Sequence, residues 1–172
     1  PPPFTAAQLD QMLAPIALFP DALLSQVLMA STYPSDVALA VDWAYAHRPL
    51  EGDAAVQAVQ DEPWDPSVQS LVAFPQTLAM LGESPEWVRN LGDAFLAQPE
   101  QVMDSVQLLR AKAKEAGNLK SDEHQVVAFE PAPPPPQVIV VNAPPPPTQI
   151  ITIVPARPQV VFVPVFHPRW VF

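Results

Sequence analysis

Residues 131–154 read PAPPPPQVIVVNAPPPPTQIITIV, two proline quartets that are each followed by a run rich in β-branched residues. This stretch marks a change in composition along the chain. The last 42 residues contain 13 prolines and 15 Val, Ile or Thr residues, whereas all 16 leucines and all four glycines precede residue 120. Because β-branched side chains fit a pleated strand and crowd a helix, the chain is predicted to change from helix to strand near residues 120–136.

Upstream of this change, signals for helix starts recur. Thr5 and Gln8 have the spacing of a capping box, in which each side chain bonds the backbone of the other residue. Asp65 and Gln98 each precede a proline, which the first position of a helix tolerates. Aromatic-proline pairs at 19–20, 33–34 and 74–75 separate apolar helical stretches. These signals predict a series of short helices.

The longest helix is predicted from about Pro99 to Ala116, because apolar residues recur there at helical spacing and Gly117 follows as a helix terminator. Arg110, Lys112 and Lys114 crowd its last turns. An anion-binding patch is one interpretation. A favourable interaction with the negative end of the helix is the preferred one.

We therefore predict an α+β protein, with a bundle of short α-helices followed by a proline-rich tail of about three strands. The helical domain should occupy residues 1–120, a polyproline linker 121–136, and the strand tail 137–172. A second polyproline spacer lies at 144–147. Each quartet would be a stiff spacer of about 12 Å at ~3.1 Å per residue.

The strand-forming segments, at 137–141, 149–154 and 159–166, are apolar on both faces, so neither face can remain in water. The strands either fold back within one molecule or pair with another chain, since unpaired edges are templates for strand addition. The residues expected to pair are Val138, Val140, Ile150, Ile151, Ile153, Val160, Phe162, Val163, Val165 and Phe166.

Composition excludes several classes of protein. The net charge of −10 argues against a nucleic-acid binder, which needs a basic face. No apolar run reaches the ~18 residues of a membrane span. The chain has no cysteine, so a thiolate metal site is impossible, and with four glycines it has no phosphate-binding loop. We expect no cofactor.

No set of residues supports catalysis, and we expect no enzymatic activity. His47, His124 and His167 have no metal-ligand spacing. Asp61, Glu62 and Asp65 cluster around Trp64, with Asp53 nearby in sequence, and are candidates for a carboxylate pair or a calcium site. A solvated acidic loop with Asp65 as a helix cap is the preferred interpretation. The four tryptophans are interpreted as core residues in preference to a binding platform for sugar or peptide.

Several segments resemble a bacterial family known only as domain of unknown function 3300. They are LAPIALFPDALLSQVLMASTYP (13–34), WDPSVQSLVAFP (64–75), LGDAFLAQ (91–98) and GNLKS (117–121). PQVVFVPVFHP (158–168) is similar to the family's VYVPVYDP, with phenylalanines in place of the tyrosines and His167 in place of the aspartate. The resemblance implies a protein exported to the bacterial envelope or beyond and implies no activity.

Two functions follow as hypotheses. The first is an exported structural or interaction protein of the periplasm, cell envelope or extracellular space. It would self-associate, in the sharpest version as a filament, or dock another envelope protein through its proline-spaced strands. The second is a monomeric periplasmic module whose tail frames a groove for peptide or glycan. A hydrolase that uses Asp61, Glu62 or Asp65 is the third and weakest hypothesis.

Overall fold

The computed structural model describes residues 3–122, 125–131 and 149–155. Within these ranges the chain forms eight α-helices and two β-strands. The helices are α1 (Ala6–Leu13), α2 (Asp21–Ala30), α3 (Pro34–Ala46), α4 (Gly52–Ala58), α5 (Pro66–Leu71), α6 (Pro75–Glu83), α7 (Pro85–Ala97) and α8 (Pro99–Glu115). The strands are β1 (Gln125–Pro131) and β2 (Gln149–Pro155). The described chain is thus mostly helical with one small sheet.

The helix starts follow the predicted chemistry at several positions. Thr5 and Gln8 form the capping box before α1, because the Thr5 Oγ1 accepts the Gln8 N–H at 3.2 Å and the Gln8 Oε1 accepts the Thr5 N–H at 2.8 Å. The Asp65 side chain caps α5 by accepting the Ser67 N–H. Helices α3, α5, α6 and α8 all have proline in their first turn.

Helix α8 has the predicted bounds within one residue, and Gly117 beyond its end has φ of 77°, the left-handed conformation that glycine adopts without strain. Gln98 does not cap α8 with its side chain. Its amide instead donates to the Phe4 carbonyl at 3.1 Å and accepts the Phe4 N–H at 3.0 Å. The Gln98 side chain, which was expected to cap α8, therefore binds the backbone of Phe4, 94 residues away in sequence.

Strands β1 and β2 pair antiparallel, with Val127 opposite Ile153 and Phe129 opposite Ile151. Strand β2 coincides with the segment predicted at 149–154. Strand β1 lies in the stretch that was predicted as linker. The segment is short and partly charged, so its sequence did not indicate that Val127 would be buried. The other predicted strands, at 137–141 and 159–166, lie outside the described residues.

The chain divides into two compact units. The terminal unit is drawn from Pro1–Asp21 and Gln98–Phe172, and the central unit is Ala22–Ala97. In the central unit, α3 packs against α5, α6 and α7. In the terminal unit, α8 packs against both α1 and β2. A helix from the start of the chain thus shares a unit with the strands.

The sheet contributes to a core in the terminal unit. Its buried members are Leu18, Ala113, Leu119, Val127, Ile151 and Ile153. Because Ile151 and Ile153 alternate with more exposed neighbours, one face of β2 points into this core. Among the described residues, no helix is both long and apolar enough to cross a bilayer.

Candidate interaction surface

A single buried arginine fastens β2 to the rest of the terminal unit. The Arg110 Nε donates to the Ala17 carbonyl at 2.7 Å, and Nη2 donates to the Phe19 carbonyl at 2.9 Å. Nη1 donates to the Ile151 carbonyl of β2 at 2.6 Å. Arg110 is only 2% exposed, so its hydrogen bonds to these three carbonyls are shielded from water. The side chain therefore joins α8, the segment after α1 and the sheet.

Asp21 completes the arginine's set of acceptors. Its Oδ1 lies 2.6 Å from the Arg110 Nη1 and also accepts the Ile153 N–H at 3.0 Å. Burial lowers the pKa of Arg110, while the hydrogen bond to Asp21 and its charge act in the opposite direction. A guanidinium remains charged in proteins. One carboxylate thus balances the buried charge and also binds the backbone of β2.

Gln107 binds β2 as a neighbouring strand would. Its side-chain Nε2 donates to the Ile151 carbonyl at 3.1 Å, and its Oε1 accepts the Ile151 N–H at 2.5 Å. Together with Asp21, it occupies the N–H groups of Ile151 and Ile153 on the edge of β2 that faces away from β1. Another chain cannot add a strand at these two residues without displacing those side chains.

The outer edge of β1 is partly covered by the residues that precede it. The Asp122 N–H donates to the Gln125 carbonyl, and the Asp122 Oδ1 accepts the Gln125 N–H, both at 3.0 Å. The Ser121 Oγ accepts the Val127 N–H at 2.8 Å. In the first half of β1, the backbone groups on both edges of the strand therefore have hydrogen-bond partners.

One face of the sheet remains accessible. We call Val126, Ala128, Glu130, Ile150, Thr152 and Val154 the outer face, since these residues alternate with Val127, Ile151 and Ile153 along the two strands. Val126 and Val154 lie directly opposite each other, and each is 50% exposed. Glu130 is the one charged residue of the outer face and lies opposite Ile150. It is the candidate interaction surface.

Lys114 binds both strands at the end of α8. Its Nζ donates to the Gln149 Oε1 at 3.0 Å and lies 3.9 Å from the centroid of the Phe129 ring, a cation–π contact. Lys112 and Lys114 lie in the last turn of α8, as expected for cations near the negative end of a helix. The same interpretation was wrong for Arg110, which is buried against backbone carbonyls.

The structure places three of the ten residues that were expected to pair as strands. Ile150 is half-buried on the outer face, whereas Ile151 and Ile153 are buried in the core. The other seven, from Val138 to Phe166, lie outside the described residues. Sequence reasoning missed Arg110, Gln107 and Asp21 as the anchors of β2. The one available signal was an arginine on the otherwise apolar side of α8.

The acidic cluster around Trp64 has a structural explanation. Asp65 accepts the Ser67 N–H at 3.0 Å and the Ser67 hydroxyl at 2.6 Å, and these bonds lower the pKa of the Asp65 carboxyl. The Tyr33 pKa is raised by the charge of Asp65 and by the hydrogen bond between them. A general acid needs a raised carboxyl pKa, whereas the pKa of Asp65 is lowered. Asp65 therefore has the properties of a helix cap and not those of a general acid.

Two other candidates for chemistry, His47 and Trp64, have structural roles, whereas His124, His167 and Trp170 lie outside the described residues. His47 stacks on Trp43 with ring centroids 4.2 Å apart, and its Nδ1 lies 2.8 Å from the Trp43 carbonyl. Trp64 is buried, as predicted for a core residue. Within residues 3–122, 125–131 and 149–155, no cluster of three or more His, Asp or Glu residues could hold a metal ion.

These observations define a mostly helical protein that holds a two-stranded sheet against its longest helix. The family described as "Protein of unknown function (DUF3300)" matches residues 5–172, and the chain belongs to this family. The chain is 53% identical over 184 residues to the "Uncharacterized protein YacH" of Escherichia coli (strain K12). The match covers 98% of this chain and 30% of YacH, so the chain spans under a third of that relative. No solved structure matches it significantly.

Proposed function

We propose that this chain is a non-enzymatic, exported interaction protein of the bacterial envelope or extracellular space that self-associates through its sheet. The observation that carries the proposal is the outer face, where Val126 and Val154 are each half exposed on a sheet that is otherwise fixed. Water contact with such paired apolar side chains is unfavourable, and association of two sheets removes it.

The anchoring of β2 supports this function. The backbone groups of Ile151 and Ile153 are hydrogen-bonded to the side chains of Arg110, Gln107 and Asp21. The strand is therefore fixed in position when a partner binds. In sequence, the apolar segments at 137–141 and 159–166 flank β2, separated from it by seven and three residues respectively. A fixed strand between two segments that need apolar partners suits a protein that joins subunits.

Substitution of the outer face tests the proposal. In the full-length chain, Val126→Lys with Val154→Lys is expected to weaken association by removing the contact between outer faces, because two desolvated ammonium groups would oppose that contact. The matched control is Leu39→Lys with Leu96→Lys, which adds the same charge at exposed apolar positions of the central unit. Light scattering over a range of concentrations, with negative-stain microscopy, gives the mass and form of any assembly.

The wild-type chain and the control pair should associate equally, and the outer-face pair should associate more weakly than both. A wild-type chain that is monomeric at every concentration would contradict the proposal, as would an equal effect of the two lysine pairs. The exported location rests on the family resemblance of the sequence. Fractionation of bacteria that produce the protein tests it, and recovery in the cytosol alone would contradict it.

A monomeric binding module is the second candidate function, and a groove in the central unit favours it. The groove has a volume of about 330 Å³ and lies between α3 and α6, lined by Tyr45 and Arg48 on one side. Its lining is mainly apolar, as is usual for a ligand site. A monomer that binds peptide or glycan with this groove would support the second candidate over the first.

A further inference from the structure

The groove between α3 and α6 adjoins a second groove along α3. This second groove, of about 420 Å³ and bordered by α3, α6 and α7, shares Val41 and Gly82 with the first. Gly82 allows this close approach, because a Cβ there would lie 2.7 Å from the Val41 Cγ1. Four of the α3 residues that line the two grooves form one helical stripe, Pro34, Ala38, Val41 and Tyr45, and Arg48 lies two residues beyond the end of α3. We call the combined depression the α3 trough.

The length of the trough fits a polyproline II segment. Helix α3 has 13 residues, so it is about 20 Å long at ~1.5 Å per residue. A polyproline II helix rises by ~3.1 Å per residue, so about six of its residues span the same distance. One proline quartet with a flanking residue at each end has this length.

The lining of the trough supplies what such a segment needs. Tyr45 is 71% exposed, and the Arg48 guanidinium carbon lies 4.6 Å from its ring centroid, which holds the ring in place. Proline rings pack on aromatic faces, and their carbonyls, which have no internal partner, accept hydrogen bonds. The Tyr45 hydroxyl, Arg48 and Arg89 all line the trough as potential donors.

The chain itself contains the matching ligand twice, at Pro133–Pro136 and Pro144–Pro147. The trough is lined by Asp42, Glu83 and two arginines. Residues 131–148 carry no charge, so their binding there would not bury an unpaired charge of the segment. A proline run is already extended, so binding costs it little conformational entropy. We infer that the α3 trough of one copy binds a proline quartet of a second copy.

This inference concerns a surface of the central unit and does not depend on the outer face of the sheet. Association through the trough joins the central unit of one copy to the tail of another. Such head-to-tail contacts repeat from copy to copy and build chains rather than closed dimers when the rotation does not close.

Binding of a labelled peptide tests the trough directly. The peptide is residues 131–148 with a fluorescent label, and the receptor is the full-length chain with the eight quartet prolines replaced by serine, which removes its own competing ligand. Fluorescence anisotropy should show saturable binding. Tyr45→Ala in this receptor should weaken binding by about tenfold, because the aromatic face is lost.

Two controls accompany the measurement. Leu39→Ala removes an exposed apolar side chain from the same helix outside the trough, and binding should not change. A peptide with serine in place of its eight prolines should not bind. Absence of saturable binding, or equal affinities of the Tyr45→Ala and Leu39→Ala receptors, would overturn the inference.

Occupancy by a second copy has its own test. Sedimentation of the otherwise wild-type chain should show association that Tyr45→Ala weakens and Leu39→Ala does not. The chain with Val126→Lys and Val154→Lys should retain this part of the association, which separates the trough from the outer face. A trough that binds the peptide in a chain whose association Tyr45→Ala leaves unchanged would overturn the assignment to a second copy.

Discussion

Arg110 makes four hydrogen bonds from one buried side chain, to three carbonyls and to Asp21. Its planar fork of donors is what allows acceptors from two distant parts of the chain, residues 17–21 and Ile151, to meet at one group. Lysine has one nitrogen at the same reach and cannot bond all four acceptors in this geometry. Arg110 is therefore the residue whose substitution should affect the terminal unit most.

Arg110→Met is expected to lower the free energy of unfolding by about 3–5 kcal/mol, because buried carbonyls lose their charged donor. Arg110→Lys should recover only part of the loss. Arg89→Met is the matched control, since Arg89 is exposed, and its effect should stay within about 0.5 kcal/mol. Urea denaturation measures all three variants. An effect of Arg110→Met as small as that of the control would contradict the structural role of the guanidinium.

The raised pKa of Asp104 predicts that the stability of the protein depends on pH. Burial, and to a lesser extent the charge of Glu100, raise the pKa of the Asp104 carboxyl in the folded state. The unfolded state holds this proton less tightly, so the charged side chain opposes folding at pH 7. Asp104→Asn should therefore stabilise the protein at pH 7, by at most about 1 kcal/mol because water screens a partly exposed group.

The advantage of Asp104→Asn should shrink as the pH falls through the raised pKa and vanish near the unfolded value of about 3.9. Asp65→Asn serves as the opposite control, because the Asp65 pKa is lowered and its carboxylate favours the folded state above about pH 4. Urea denaturation at pH 3 to 7 gives both curves. Parallel curves for wild type and Asp104→Asn would contradict the prediction.

At the scale of the element, the backbone of β2 makes hydrogen bonds to strand β1 on one edge and to side chains of other elements on the opposite edge. The Ile151 and Ile153 N–H groups donate to Gln107 and Asp21, whereas the Thr152 N–H lies on the side of β1. The strand is thus central in its hydrogen bonding although the described sheet has only two strands. Side chains of other elements replace the missing third strand.

Gln107→Ala should make the Ile151 amide exchange with solvent about tenfold faster, because the amide loses its acceptor. The Thr152 amide should change much less. Hydrogen exchange followed by nuclear magnetic resonance resolves the two residues. Lys114→Met is the control on the same helix, since Lys114 bonds the Gln149 side chain and not the strand backbone. Equal acceleration of both amides in Gln107→Ala would mean that the strand opens as a whole.

At the scale of the whole molecule, both ends of the chain contribute to one unit. Helix α1 and residues 14–21 share the terminal unit with α8 and the sheet. The segments on either side of the central unit are therefore folded together, and removal of the strands should affect a helix near the first residue. Two truncations differ by β2 alone and test this dependence.

A chain that ends at residue 148 lacks β2 and hence the buried Ile151 and Ile153, whereas one that ends at residue 155 keeps them. We expect the shorter chain to unfold at a lower urea concentration, with a loss of at least about 3 kcal/mol from the two isoleucines. The longer chain is the control. Equal midpoints would contradict the role of β2 in the core of the terminal unit.

Local signals predicted local features well. The capping box of Thr5 and Gln8, the cap at Asp65 and the end of α8 at Gly117 all follow from residues within four positions of each other. The pairing of β2 with β1 did not follow, because the Gln125–Pro131 segment is short and its buried position depends on contacts with α8 and β2.

The sequence by itself determined a helical chain with a strand after the second proline quartet, since caps, prolines and β-branched runs act over a few residues. Tertiary structure alone decided that Arg110 binds carbonyls of Ala17, Phe19 and Ile151, which lie 41 to 93 residues away. A buried donor takes whichever acceptors the packed backbone leaves without partners, and only the folded chain shows which these are.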